Sequence, residues 1–263
     1  MTTPLGTLIA KLREGNPTLT FEDLETELSK TIESGEAYYR LGIRKEEGLA
    51  VIFYEDSLPL VREEDALATA LETNTRSTVL DQETLEIQAV QFNKLIYNEE
   101  AVELAKKYPF PQIRFQECFE GTLILVYFSK GKWQKSTRRC IDAHKSFWVP
   151  DVSFGDLFEE ARVGKFEYEE LDPALCYTFV LVHHKNRGII DYSFFLGPEY
   201  AEVFHILTAP KGSLLPVDLK INSTVRTPKE FSFGTIEEAE AYLKQQAFRD
   251  RRKKRVTMEG LVL

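Results

Sequence analysis

An α+β fold of antiparallel sheets flanked by helices is what this sequence predicts. Three observations carry that expectation: apolar runs of strand length arrive in pairs joined by short turn segments, stretches with helical spacing lie between the pairs, and no fixed-period repeat or Ser/Pro/Gly-rich linker divides the chain. With 43% hydrophobic and 12% aromatic residues, among them 18 Phe and 11 Tyr, the 263-residue chain has the apolar material for a sizeable core.

Leu5, Leu8, Ile9 and Leu12 recur at helical spacing until Gly15, a suitable C-terminal cap. Thr20 is placed as the N-cap of a second helix, with Asp23 three residues on and Phe21, Leu24, Leu28 and Ile32 as one apolar stripe. Residues 37–44 and 49–54, joined by 45–48, read as a hairpin, and 63–71 as a connecting helix. Residues 1–72 are therefore expected to form an N-terminal helical and hairpin subdomain, and 73–263 the core.

In the core, 76–81 and 85–92 read as a hairpin and 99–107 as a helix stopped by Pro109 and Pro111. The stretch 121–128 is almost unbroken apolar and is expected to be a central strand buried on both faces, paired through Ser129-Lys130-Gly131 with 132–138. A helix is predicted over 152–163, and a hairpin-like pair over 176–183 and 189–195. Thr235 with Glu238 opens a last helix, which runs through a basic stretch into an apolar strand at 258–263.

Lys and Arg total 33 against 42 Asp and Glu, a formal charge of −9, which excludes a protein that coats nucleic acid indiscriminately but not a local basic groove. No apolar run approaches the ~20 residues of a membrane-spanning helix, and no export signal is read at the N-terminus. Three cysteines without a CxxC pair suggest neither a disulfide framework nor structural zinc, and fit a reducing, cytoplasmic setting. His183 and His184 are adjacent in an expected strand, so their side chains are expected on opposite faces, and no metal site is predicted there or at His144 or His205.

Five segments carry the chemistry. Cys118-Phe119-Glu120-Gly121 is followed directly by the strand pair that closes at Ser136-Thr137-Arg138; Phe179-Val180 opens a stretch that reaches Asn186-Arg187; Glu259-Gly260-Leu261-Val262 follows further on; and Arg76-Ser77 and Lys94-Leu95-Ile96-Tyr97-Asn98 lie upstream. In this order they resemble the adenylyltransferase domain of the bacteriophage-type RNA ligases, within the superfamily of ligases and capping enzymes, over roughly residues 70–263. The resemblance implies a nucleotidyltransferase fold, ATP and Mg²⁺ as cofactors, nucleotide and RNA as partners, and a virus, phage or microbe as source. By the same resemblance Arg76 and Lys94 face a phosphate tail, Arg138 lies at the rim beside the loop, Glu120 and Gly121 belong to the nucleotide loop, and Glu259 faces the metal or nucleotide.

The departures concern the reacting atoms. Where the family places a lysine that attacks the α-phosphate, this chain has Cys118, whose stem is shorter by about three bonds. Val180 replaces a ribose-binding glutamate, and the chain ends before a match to the family's Lys-x-Lys strand. The sequence therefore predicts a degenerate member that holds nucleotide or RNA without a lysyl adenylate. An active ligase using Lys94, Lys130 or Lys132, and a non-catalytic interaction scaffold, are the alternatives. For Arg76 and Lys94 the competing reading is ordinary surface charge. Arg251, Arg252, Lys253, Lys254 and Arg255 form a basic run that either tracks a phosphate backbone or ends a solvated helix.

Overall fold

The computed structural model describes residues 3–55, 65–253 and 256–262. Thr3 caps α1 (Pro4–Gly15), accepting the Gly6 N–H, and Pro4 stands where a missing amide proton costs nothing. Helix α2 (Phe21–Leu28) opens with the expected reciprocal cap, Thr20 accepting the Asp23 N–H while the Asp23 carboxylate accepts that of Thr20. It ends at Leu28, a turn before Ile32, because Ser29 caps it and Thr31 bridges Ala37.

Strands β1 (Leu41–Glu46) and β2 (Leu49–Tyr54) meet through a two-residue turn, Glu47 and Gly48, both with positive φ. The expected four-residue turn is thus shorter, and Lys45 and Glu46 belong to the strand. Helix α3 (Ala66–Asn74) is capped by Asp65; the start of the expected helix, at 63 and 64, lies outside the described residues. Strands β3 (Thr78–Asp81) and β4 (Ile87–Val90) complete a sheet of order β1-β2-β3-β4, so strands from both sides of residue 72 share one sheet.

After α4 (Asn98–Ala105) come β5 (Phe115–Cys118), β6 (Thr122–Ser129) and β7 (Lys132–Ser136), then a small hairpin of β8 (Phe147–Val149) and β9 (Val152–Ser153), helix α5 (Phe154–Arg162) and β10 (Leu175–His183). The short helix α6 (Ser193–Leu196), β11 (Ala201–Pro210), β12 (Glu230–Phe231), α7 (Ile236–Lys253) and β13 (Gly260–Val262) follow. The second large sheet has the order β11-β10-β6-β7, and β12-β5-β13 form a third.

Strand β6 is central and buried on both faces, as its composition predicts. Leu125 and Tyr127 meet Val51, Val79 and Ala89 between the two large sheets, whereas Ile124 and Val126 join Phe158, Phe179 and Leu181 beneath α5. Each large side chain buried in these layers contributes about 2 kcal/mol. Helices α1, α2 and α3 cover the outer face of the first sheet through Leu5, Leu8, Leu24 and Leu71.

One expected pairing is replaced. Strand β10 pairs with β11 on one side and β6 on the other, not with residues 189–195. The main-chain N–H groups of Ile189 and Ile190 are donated to the Glu120 carboxylate, and residues 193–196 turn into α6. A donor committed to a side chain cannot serve a strand ladder.

Candidate functional site around Cys118 and the adjoining cleft

Two of the segments singled out in the sequence stand side by side. Strand β13 pairs antiparallel with β5, with Gly260 opposite Cys118, so Glu259 arrives next to the cysteine. Burial pushes the Cys118 thiol up to about 12, with the neighbouring Glu259 carboxylate as the second cause. Burial also raises Glu259, followed by the charge of Glu120. The sulfur is held protonated, the opposite of what a nucleophile needs.

The rest of the loop is structural in its contacts. Glu120 accepts the Ile189 N–H at 2.9 Å and the Ile190 N–H at 2.6 Å, while its own N–H donates to Tyr192 Oη at 2.7 Å. Gly121 is needed for close approach: a Cβ there would lie 2.5 Å from the Leu181 carbonyl oxygen and 2.7 Å from Val180 Cγ1. Val180 belongs to an apolar cluster with Val182, Ile190, Tyr192, Tyr200 and Phe204, against which Phe119 and Leu123 pack.

Arg76 and Arg138 are brought together on Tyr54. Arg76 Nη1 donates to Tyr54 Oη at 3.0 Å and faces the Phe92 ring at 5.4 Å. Arg138 Nη2 donates to the Tyr54 carbonyl at 2.7 Å, and its guanidinium stands 4.2 Å over the Tyr54 ring. Arg138 lies two residues beyond Ser136, the partner of Leu125, on the side of β7 toward the start of β6 and hence toward Gly121. Lys94 is exposed, its main-chain N–H donating to Thr73 at the end of α3.

A cleft of about 780 Å³ opens on the other face of β5. Glu117 and Phe119 border it while Cys118, between them in sequence, does not, as strand alternation dictates. Phe204 and His205 of β11 and the irregular stretch holding Lys220, Arg226 and Lys229 supply its remaining wall. Phe119 lies flat on Phe204, ring centroids 3.8 Å apart and planes 17° from parallel. Burial raises Glu117 and drives His205 down to about 4. None of Arg76, Lys94, Arg138 and Glu259 lines this cleft. Sequence reasoning passed over its cations because they sit on a stretch without periodicity.

Other expectations meet corrections. Lys130 and Lys132 flank the β6–β7 turn, about 25 Å along β6 from Gly121 at ~3.3 Å per residue. They pair with Asp81 and Glu47, and those side-chain hydrogen bonds raise both ammoniums instead of lowering them. The rings of His183 and His184 stack at 4.6 Å instead of pointing apart, because β10 ends at His183 and His184 begins a 3₁₀ turn. Of the basic run, Arg251, Arg252 and Lys253 are exposed in the last turn of α7, a placement that suits the helix dipole, and Lys254 and Arg255 lie outside the described residues. Just before that run Asp250 is buried and accepts hydrogen bonds from the N–H and the hydroxyl of Thr257.

No protein-family profile matches this chain. A 78-residue stretch is 35% identical to the immediate-early protein ICP-46 homolog of Invertebrate iridescent virus 3, covering 27% of this chain and 17% of that protein. Among solved structures, an archaeal ATP-dependent RNA ligase in its form 2 superposes with a TM-score of 0.52 at 18% identity, over 92% of this chain and 60% of that one. Form 1 of an archaeal ATP-dependent RNA ligase gives 0.49 at 16% identity, over 92% of this chain and 63% of that one. A putative ATP-dependent DNA ligase from Aquifex aeolicus gives 0.47 at 14%, over 82% and 54%. The chain thus has the nucleotidyltransferase fold of ATP-dependent ligases and spans about 60% of the archaeal ligase's length. Among the described residues no helix is long and apolar enough to cross a membrane.

Proposed function

We propose that this protein is a degenerate ligase-fold nucleotidyltransferase that holds a nucleotide or RNA by its phosphates and forms no covalent adenylate on residue 118. The observation that carries this reading is Cys118 itself: a short, half-buried thiol held protonated beside Glu259, on the face of β5 away from the cleft. Fold alone does not define activity, and the atoms at the nucleophile position are the wrong ones.

ATP is the nucleotide to which the fold points, and Mg²⁺ would accompany its phosphates. The chain's own candidates for those phosphates are Arg76, Lys94 and Arg138, with Arg251 to Arg255 available to an RNA backbone. Each oxygen of Glu120 accepts one main-chain N–H group, which fixes this carboxylate between the loop after β5 and residues 189–190. Glu259 is the remaining carboxylate beside Cys118.

Incubation with α-³²P-ATP and Mg²⁺, followed by acid precipitation, tests the proposal. The expected result is no label on the wild-type protein, alongside measurable binding of ATP or of a single-stranded RNA at low salt. An acid-stable protein–AMP bond would refute the non-covalent reading. No binding of either ligand would leave an interaction scaffold.

A further inference from the structure

We infer that the cleft bordered by Glu117, Phe119, Phe204, Lys220, Arg226 and Lys229 is a binding site for a nucleoside phosphate, distinct from the Cys118 face and from the arginine pair on Tyr54. This deepens the proposed function and rests on its claim that the chain binds nucleotide without a covalent bond.

Charge is the first argument. Three cations face one carboxylate there, in a chain whose net charge is −9. Among the described residues, Lys220 and Lys229 make no ion pair, and Arg226 reaches Glu202 through Nε at 3.1 Å. Lys229 Nζ lies over the Phe231 ring, 4.9 Å from its centre, a contact that uses no carboxylate, so both ammoniums still have N–H donors for a phosphate oxygen. By contrast, Arg76 and Arg138 each spend a guanidinium nitrogen on Tyr54.

Shape is the second. The volume of about 780 Å³ falls within the range of small-ligand sites, and the stacked Phe119–Phe204 pair supplies an apolar, flat element within it. The wall is built in advance. Glu117 donates its N–H to the Lys229 carbonyl at 2.9 Å, and His205 to that of Arg226 at 2.8 Å. Asn222 Oδ1 accepts the N–H groups of both Thr224 and Val225, which fixes the turn between the lysines. A preformed wall reduces the ordering cost of binding.

Calorimetric titration of the full chain with ATP, AMP and adenosine at low salt tests the assignment, with the Lys220→Glu/Lys229→Glu double variant, Phe119→Ala and Arg76→Ala in parallel. A Lys244→Glu variant controls for overall charge, and thermal melts confirm that each variant folds. The wild type is expected to bind ATP and AMP at least tenfold more tightly than adenosine. The double variant should lose more than tenfold in ATP affinity, and Phe119→Ala should weaken AMP; Lys244→Glu should stay within twofold of wild type. An unchanged ATP affinity in the double variant, with the loss appearing in Arg76→Ala, overturns the cleft assignment and leaves the proposed function standing. A wild type that binds RNA but no mononucleotide also overturns it alone, whereas a wild type that binds neither removes both.

Discussion

Glu120 Oε2 lies 2.6 Å from the main-chain nitrogen of Ile190, and Oε1 takes the neighbouring N–H of Ile189 at 2.9 Å. One carboxylate therefore ties the loop after β5 to the segment after β10. Hydrogen bonds to a charged group contribute about 1.5–3 kcal/mol each. Glu120→Ala is expected to destabilise the fold by about 2 kcal/mol in urea titrations and to accelerate amide exchange at residues 189 and 190 at least tenfold. Glu120→Gln, with one acceptor oxygen left, should fall between. Unchanged exchange at both amides would show that the segment is held by something else.

The environment of Cys118 predicts low reactivity with a definite pH signature. Raising a thiol from 9.0 to about 12 leaves on the order of a thousandfold less thiolate at pH 8. Alkylation of Cys118, followed by mass spectrometry, should be far slower than that of an unfolded control. Its rate should keep climbing through pH 10 without a plateau. Burial is the larger cause, so Glu259→Gln should speed the reaction only modestly, by removing the neighbouring charge. A plateau near pH 8 would mean that the sulfur is an activated nucleophile after all.

The fold was legible where local chemistry decides the outcome. Thr20 with Asp23 specified a capped helix, and the apolar run of β6 specified a strand buried on both faces. The order of Cys118-Phe119-Glu120-Gly121 and Glu259-Gly260 pointed to two segments that do pair, although their contact spans most of the chain. Residues 189–195 carry a strand-like pattern, but a carboxylate from another part of the chain claims their amide protons, and no local pattern encodes that competition. Strand β11 was hidden by Glu202 and His205, polar residues buried against Arg226 and Thr208 that interrupt its apolar run. The cleft was illegible for a similar reason: Lys220, Arg226 and Lys229 meet Glu117 only through tertiary structure.

A buried hydroxyl offers a stabilising substitution. Thr178 of β10 is fully buried, and its Oγ1 has no hydrogen-bond partner among the described residues. An unpartnered hydroxyl has lost its hydration without compensation. Thr178→Val keeps the branched shape that a central strand favours and removes the uncompensated oxygen. It is expected to raise stability by about 1 kcal/mol in chemical denaturation. A destabilised variant would place an ordered water at that oxygen.

His205 should make stability fall with acid between about pH 6.5 and 4. It is buried between Tyr177 and Phe179, with Nε2 2.7 Å from Thr208 Oγ1. Burial lowers it from 6.5 to about 4, so the neutral ring belongs to the folded state. As pH falls through 6.5 the unfolded chain takes up a proton that the folded chain refuses. Stability contributed by the neutral ring is complete above pH 6.5 and declines down to about pH 4, below which both states are protonated and the effect is flat. The full swing is on the order of 3 kcal/mol. Carboxylates titrate in part of the same range, so the comparison that isolates this residue is wild type against His205→Gln, in which the side-chain amide can still meet Thr208. The difference in unfolding free energy between the two proteins should shrink in favour of the variant as pH drops from 7 to 4.5. Parallel pH profiles would mean that the imidazole is protonated, or solvated, in the folded protein.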